Sequence, residues 1–307
     1  MAIDLENHIQ NFVLETKKLE IPNHPHAFNP SIVFWRGAYL LSFRDLYEAS
    51  PQDSSGYSHI GLVFLNNDLD LDSAPYILDF PGEDARLINV DEHLYIVCDG
   101  GFRMFIGELD FDGKQFSLIK YEKLTYFPQN SPDRREKNWV PFDYEGQLLL
   151  AYSLEPHQIL YPRLNTSETC DLISTSPSST SWPWGELRGG TPALRCGEDY
   201  LAFFHSSIDI ATDHSNGEVV PHYFMGAYTF EKEFPFSLTG ISPQPIIGQN
   251  FYHGLNYEPY WHPVRVVFPC GFTFDEDYIW VVYGRQDHEL WITKLDRKGL
   301  FRSLTPL

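Results

Sequence analysis

The stretch Glu83-Asp84-Ala85-Arg86 places two carboxylates and a guanidinium at the start of an apolar run. A second apolar run follows a polar turn and ends at Asp99. In two antiparallel strands these positions lie at the same end of the hairpin, so Asp84 and Asp99 are expected to face one region. Paired carboxyl groups are the usual equipment of glycosyl transfer, in which one acid protonates the leaving oxygen. An enclosed, mostly apolar position would raise the pKa of that acid, as proton donation requires.

A similar layout recurs along the chain and would gather further polar side chains at the same rim. The predicted set comprises Asn29, Arg44, Arg86, Lys137, Asn138, Glu155, His157, Arg188, His205, Arg285 and Asp287. Each member also has an ordinary structural interpretation, as a strand cap, a surface ion pair or a satisfied core histidine. The recurrence of these residue types near the openings of several units favours the functional interpretation.

The recurrence is an internal repeat of two-strand units. The units open at residues 29, 84, 138, 190 and 268, so successive openings are 55, 54, 52 and 78 residues apart. First strands are predicted over 29–34, 84–90, 136–142, 188–194 and 266–271, and their partners over 39–44, 94–98, 148–153, 201–205 and 279–283. Five such repeats predict an all-β fold, a five-bladed β-propeller whose innermost strands line a central channel.

The remaining segments complete this prediction. Residues 59–64 and 224–230 are expected to be outer strands, and residues 249–257 an aromatic loop over the channel mouth. Residues 1–24 are expected to form an N-terminal extension or a strand that closes the fold. No segment has the composition of a domain linker, so one propeller domain over residues 1–307 is predicted.

Composition limits the partners. The formal net charge of -20 disfavours nucleic acid, because phosphate backbones demand a basic surface. The sequence shows neither a leader peptide nor an apolar run long enough to span a membrane, which favours a cytoplasmic protein without membrane contact. The four cysteines are expected to be buried free thiols. Metal-binding and nucleotide-binding motifs are absent, so no metal and no organic cofactor are expected, and self-association stays open.

Taken together, the motifs resemble glycoside hydrolase family 130 over about residues 25–305. The likeness is carried by Glu83-Asp84-Ala85-Arg86, similar to the family's EDPR segment; by Lys137; by Gly189-Gly190-Thr191-Pro192 with His205; by Tyr223 with Gly226-Ala227; and by Val266-Val267-Phe268-Pro269-Cys270-Gly271 with Tyr283-Gly284-Arg285-Gln286-Asp287. Members of that family are five-bladed propellers, mostly inverting phosphorylases of β-mannosides. The resemblance therefore implies a mannoside or oligosaccharide substrate, with inorganic phosphate as co-substrate and a sugar phosphate as product.

The resemblance also implies roles for individual residues. Asp84 would be the catalytic proton donor. Phosphate would be bound by Lys137, Arg188, His205 and Tyr223, which come from blades three and four. From their places at the predicted rim, the residues expected to bind the sugar are Asn29, Arg44, Arg86, Asp99, Asn138 and Asp287.

One departure from the family pattern keeps other reactions open. Family phosphorylases carry an arginine for phosphate at the end of the third hairpin, where this chain has Leu154-Glu155-Pro156-His157. Glu155 could instead activate water in a hydrolase, and related propellers also transfer mannose from a sugar nucleotide. A sugar-binding module without activity is the competing class. Several cations at the mouth of a strongly acidic chain favour an anionic nucleophile, so phosphorolysis is the predicted reaction.

Overall fold

The computed structural model describes residues 2–46, 58–101, 103–126, 135–164, 169–254 and 263–307. Within these ranges the chain forms five antiparallel sheets, each built mainly from strands that follow one another in sequence. The first strands of neighbouring sheets pack side by side around one axis. The prediction of an all-β, five-bladed propeller is confirmed.

The strands are numbered in chain order, beginning with β1 (Val13–Leu19), which precedes the first blade. Blade one consists of β2 (Phe28–Trp35), β3 (Ala38–Leu46), β4 (Ser58–Leu65) and β5 (Tyr76–Pro81). Blade two consists of β6 (Glu83–Val90), β7 (His93–Asp99), β8 (Met104–Phe111) and β9 (Phe116–Leu124). Blade three consists of β10 (Val140–Tyr144), β11 (Gln147–Leu154), β12 (His157–Pro162) and β13 (Cys170–Ser176).

Blade four consists of β14 (Arg188–Gly189), β15 (Leu194–Cys196), β16 (Asp199–Ala211), β17 (Val219–Glu231) and β18 (Leu238–Ile241). Blade five consists of β19 (Val267–Phe274), β20 (Tyr278–Arg285) and β21 (Glu289–Asp296). A last short strand, β22 (Thr305–Pro306), pairs with β18 at the outer edge of blade four. Among the described residues, the helices are α1 (Arg297–Ser303) and two 3-10 turns, Leu5–His8 and Asp213–Ser215.

Blade four departs from the predicted pattern. Its inner strand, expected to run without a break over 188–194, is divided into β14 and β15, which both pair with β16. Pro192 lies between the two pieces, and proline has no N–H to donate to a sheet ladder. The hairpin of β16 and β17 is also longer than expected, because its pairing continues from Asp199 and Glu231 out to Ala211 and Val219.

The N-terminal strand closes the ring. β1 pairs antiparallel with β21, so it supplies the outermost strand of blade five. This pairing matches the closing-strand form of the expectation for residues 1–24. At the centre, the blades approach closely: a Cβ atom on Gly271 of β19 would lie 2.5 Å from the backbone nitrogen of Ile32 in β2. Only glycine fits such a backbone contact between blades five and one.

A bulge sits at the start of each of the first two inner strands. In β6 the register passes from Glu83 opposite Asp99 to Arg86 opposite Val97, so β6 has one extra residue. Strand β2 shows the same shift between its residues 28 and 31. The second residue of each strand, Asn29 or Asp84, has a left-handed backbone with φ of 46° or 51°. A bulge re-aims a side chain, and Asn and Asp tolerate this backbone better than other non-glycine residues.

In the part of the chain that the structure describes, no helix is long and apolar enough to cross a membrane. The four cysteines are free, and three of them are buried, as expected; Cys196 is partly exposed.

Candidate active site

Asp84 lies at the channel rim, where the bulge turns it toward blade one. Its Oδ1 atom accepts a hydrogen bond of 2.7 Å from Asn29 Nδ2 and lies 3.4 Å from the Arg44 guanidinium. Burial alone would raise the pKa of Asp84, but Arg44, Asn29 and the more distant Arg86 and Lys137 outweigh it, so that the pKa lies below its usual value. The expectation of a raised pKa at Asp84 is therefore wrong for the resting protein.

Asp287 shows the opposite behaviour. It lies in the turn after β20 and has no hydrogen bond or ion pair with any residue that the structure describes. Although the residue as a whole is only half-buried, desolvation of its carboxyl group and the negative charge of Asp84 raise its pKa to about 6. Two interacting carboxyl groups with pKa values pushed apart are a common arrangement for acid and base chemistry.

A network of ion pairs surrounds Asp84. Glu83 binds Arg44 at 2.9 Å and Lys137 at 3.3 Å. Lys137 also lies 2.6 Å from Asp99, whose other carboxylate oxygen accepts a hydrogen bond from the Gly101 N–H. Burial nonetheless raises the pKa of Asp99 above its usual value. Lys137 is thus neutralised by two protein carboxylates, which weakens its expected role as a phosphate ligand.

Two members of this network were not predicted as site residues. Glu83 contacts Arg44 and Lys137, and its position beside Asp84 was a usable signal. Arg135 lies 3.9 Å from Glu83 and 3.8 Å from Asp99. Nothing in the sequence distinguished Arg135 from an ordinary surface cation.

Arg86 links three blades from beneath the rim. It is fully buried, and its nitrogens donate to the Gly190 carbonyl at 2.5 Å, the Asp84 carbonyl at 2.9 Å and Asn138 Oδ1 at 3.0 Å. Because the side chain has no exposed surface, its remaining N–H groups are not open to a ligand in the channel. We therefore assign Arg86 a supporting role. The side-chain amide oxygen of Asn138 is occupied by the same contact.

His205 lies on the blade-four side of the rim. Its Nδ1 atom is 3.0 Å from the Gly189 carbonyl oxygen, which only accepts, so Nδ1 carries the proton and Nε2 is left as an acceptor. Burial and the positive charges of Arg86 and Arg188 lower the pKa of His205 to about 3. His205 is therefore neutral near pH 7. It does not supply the positive charge that was expected of it as a residue that binds phosphate.

The neighbours of His205 are aromatic or cationic. Tyr223 stacks on its ring at 6.1 Å between centroids, and Phe268 packs edge-on at 4.6 Å. Arg188, at the start of β14, keeps about half of its side chain exposed and pairs with the exposed Glu186 at 3.1 Å. Arg86 and Arg188 thus create a positive field around a neutral, enclosed ring.

Three other predicted rim residues lie outside this centre. Glu155 is exposed, and its carboxylate accepts a hydrogen bond of 2.6 Å from the Thr180 N–H. His157 is completely buried with Nδ1 on the Phe236 carbonyl, and burial lowers its pKa to about 4. Arg285 is also buried, with its guanidinium on Glu289 and on the carbonyl of residue 250. These contacts tie the three residues to neighbouring backbone and side chains rather than to Asp84.

The described residues contain no group of three or more His, Cys, Asp or Glu side chains suited to a metal ion. The predicted aromatic loop is partly described: Phe251 and Tyr252 are buried in the core, so they do not form a platform over the channel. Residues 255–257 of that loop lie outside the described ranges.

Neither known family descriptions nor curated protein sequences match this chain. Solved structures do. A mannose phosphorylase from Leishmania mexicana, MPT-4 in complex with phosphate, superimposes with a TM-score of 0.63 at 11% identity, covering 99% of this chain and 93% of its own. β-1,2-Mannobiose phosphorylase from Listeria innocua gives 0.61 at 16% identity, with coverages of 96% and 94%.

A third structure comes from the GH130 family of mannoside phosphorylases, which contains glycoside hydrolases that target β-1,2-mannosidic linkages in Candida mannan. It gives a TM-score of 0.62 at 12% identity, with coverages of 97% and 91%. Sequence identities this low establish the fold alone. This chain therefore has the five-bladed propeller fold of a set of proteins that includes GH130 mannoside phosphorylases.

Proposed function

We propose that the protein is a carbohydrate-active enzyme that transfers a β-mannosyl group with inversion, using phosphate as the nucleophile. The observation that carries the proposal is the position of Asp84, a rim carboxylate with one oxygen fixed and the other without a protein partner among the described residues. Similar solved structures include two named as mannose or mannobiose phosphorylases.

In this proposal Asp84 is the general acid. Protonated Asp84 gives its proton to the glycosidic oxygen, which keeps the electron pair of the broken bond to the anomeric carbon. Asp84 is then left as a carboxylate, the form that Arg44 and Asn29 stabilise. Asp287, with its raised pKa, is the neighbouring group that holds a proton for part of the time near neutral pH.

The proposed binding site for the phosphate nucleophile is in blade four. Phosphate attack requires fixed positive charge and hydrogen-bond donors in a partly enclosed place. Arg188 is half-exposed beside the neutral ring of His205 and the Tyr223 side chain, and the field there is positive. Arg188 and Tyr223 are therefore the proposed phosphate ligands, while Lys137 holds Glu83 and Asp99 in place.

Hydrolysis is the second candidate, because the charges of the network are balanced without an external anion. Arg44, Lys137 and Arg135 each lie within 4 Å of a protein carboxylate. A balanced centre suits a neutral nucleophile such as water. Glu155 is poorly placed to activate that water, since it is exposed and bound to the Thr180 N–H.

The test incubates the protein with β-1,2-mannobiose and longer β-mannooligosaccharides, with and without phosphate. We expect mannose 1-phosphate only when phosphate is present. Asp84→Asn should lower the rate at least about a hundredfold, the usual contribution of a general acid. The matched control is Asp91→Asn, an exposed aspartate with φ of 48° at the other end of the same hairpin, which should keep full activity.

Other outcomes identify the competing functions. Free mannose released at equal rates with and without phosphate indicates a hydrolase. Turnover of GDP-mannose alone indicates a transferase. Mannoside binding that survives Asp84→Asn, with no turnover in any arm, indicates a binding module.

A further inference from the structure

Asn29 is almost entirely buried beside Asp84, and its amide has a single described partner. The amide nitrogen donates to Asp84 Oδ1, while the amide oxygen is buried without any hydrogen bond. A buried acceptor without a partner is destabilising. Of the interactions among described residues, the contact with Asp84 is therefore the polar one that accounts for an asparagine side chain here.

The Asn29 amide occupies a space that Gly284 of blade five leaves open. A Cβ atom on Gly284 would lie 1.8 Å from the Asn29 amide oxygen. Gly284 has no left-handed φ, so the tight space, rather than the backbone angle, makes the small residue necessary. Strand β20 of blade five thus leaves just enough room for the amide of blade one beside the carboxylate of blade two.

The two oxygens of Asp84 are consequently unequal. Oδ1 faces the Nδ2 amino group of Asn29 and the Arg44 guanidinium, and both of these groups can only donate to it. A proton on Oδ1 would meet those donors, whereas Oδ2 has no protein partner among the described residues. A proton on Asp84 therefore resides on Oδ2.

We propose that Asn29 is a positioning residue that confines the catalytic proton of Asp84 to Oδ2 and stabilises the carboxylate left after its transfer. This inference rests on the proposed function, because it assigns Asn29 to the proton donor rather than to sugar binding. In the reaction the O–H bond at Oδ2 breaks and a new O–H bond forms on the glycosidic oxygen. The charge that remains on Asp84 is held at Oδ1 by Asn29 and Arg44.

Other ionisable groups also interact with Asp84, and they must remain unchanged in a test. They are Arg44 on β3, Arg86 on its own strand, Lys137 before β10, His205 on β16 and Asp287 after β20. Glu83 and Asp99 belong to the same ion-pair network through Arg44 and Lys137. Replacing Asn29 alters none of these charges. Its effect on Asp84 is therefore separable from theirs.

The decisive measurement is a carbon-13 NMR titration of the aspartate carboxyl groups in the full chain, with Asp84→Asn to assign the resonance. In Asn29→Ala we expect the titration midpoint of Asp84 to rise by about one pH unit, the scale of one lost hydrogen bond to a charged group. Gly284→Ala should shift it in the same direction, because the added methyl group displaces the amide. Asn89→Ala, an exposed residue at the far end of β6, is the control and should leave the midpoint unchanged.

Activity gives a second, separate result. Since a general acid acts in its protonated form, Asn29→Ala should move the alkaline limb of kcat/KM to higher pH and lower the maximum. An unchanged or lower Asp84 midpoint in both variants overturns the inference, even if mannobiose is cleaved. A raised midpoint in a protein that turns over no mannoside supports the contact with Asp84 while refuting the proposed function. If Asn29→Ala does not fold, Gly284→Ala decides alone.

Discussion

Arg86 is a residue whose type suggested one role and whose surroundings show another. From the sequence it was a cation in a catalytic motif. In the structure it donates to groups of blades two, three and four and has no exposed surface. Residue type and spacing cannot separate these roles, because both place a guanidinium near the rim.

Replacing Arg86 tests the linking role. Arg86→Met keeps most of the volume but leaves the Gly190 and Asp84 carbonyls and the Asn138 amide without their donor. We expect the free energy of unfolding to fall by roughly 2–5 kcal/mol, measured by urea denaturation. Arg302→Met, at an exposed ion pair of 3.8 Å, should change it by less than about 1 kcal/mol. Equal effects in the two variants would contradict the linking role.

The sequence predicted where several site residues lie, but not how they are ionised. The rim positions of Asn29, Asp84 and Asp99 followed from the repeat, because strand starts and strand ends must meet there. The ionisation of Asp84 and the neutrality of His205 did not follow, since both depend on neighbours from other blades. Contacts made across a channel have no fixed sequence separation.

At the scale of elements, the hairpins were the most predictable feature. The observed inner pairs of blades one, two, three and five begin and end within a few residues of the predicted ones. Apolar runs separated by glycine or acidic turns carry that information locally. Strand β1, which completes blade five, lies nearly 280 residues from its partner β21 in sequence, so no local pattern revealed this pairing.

The second structural prediction is that β1 stabilises the closed ring. Deleting residues 1–19 removes the partner of β21 and exposes its edge, including the buried Leu290, Ile292 and Leu295. We expect a lower thermal unfolding midpoint and concentration-dependent aggregation. Removing residues 305–307, which takes away only the two-residue strand β22, is the matched control and should shift the midpoint far less. Equal shifts would show that ring closure contributes little.

At the scale of the whole molecule, buried histidines link stability to pH. The pKa values of His157 and His205 fall from about 6.5 to about 4 and about 3 in the folded protein. Between those values and 6.5 the unfolded chain binds more protons than the folded one. The stabilisation is therefore complete above pH 6.5 and is lost as the pH falls.

We expect the free energy of unfolding to decrease on acidification from pH 7 to pH 5, by about 1.4 kcal/mol per pH unit for each net proton taken up. Asp287 acts in the opposite direction, because the folded protein holds its proton up to about pH 6 and the unfolded chain does not. His157→Gln should make the slope shallower by about one proton. A stability that rises toward pH 5 would contradict this account.

The left-handed backbone at Asn29, Asp84 and Asn138 also bears on protein engineering. Positions near the openings of three successive blades hold aspartate or asparagine with a positive φ of 46°, 51° or 63°, a backbone that β-branched side chains rarely adopt. Exchanging an amide for an acid at any of them alters the chemistry of the mouth without remodelling the scaffold. A designer could thus move the acid from one blade to its neighbour by two reciprocal substitutions of aspartate and asparagine.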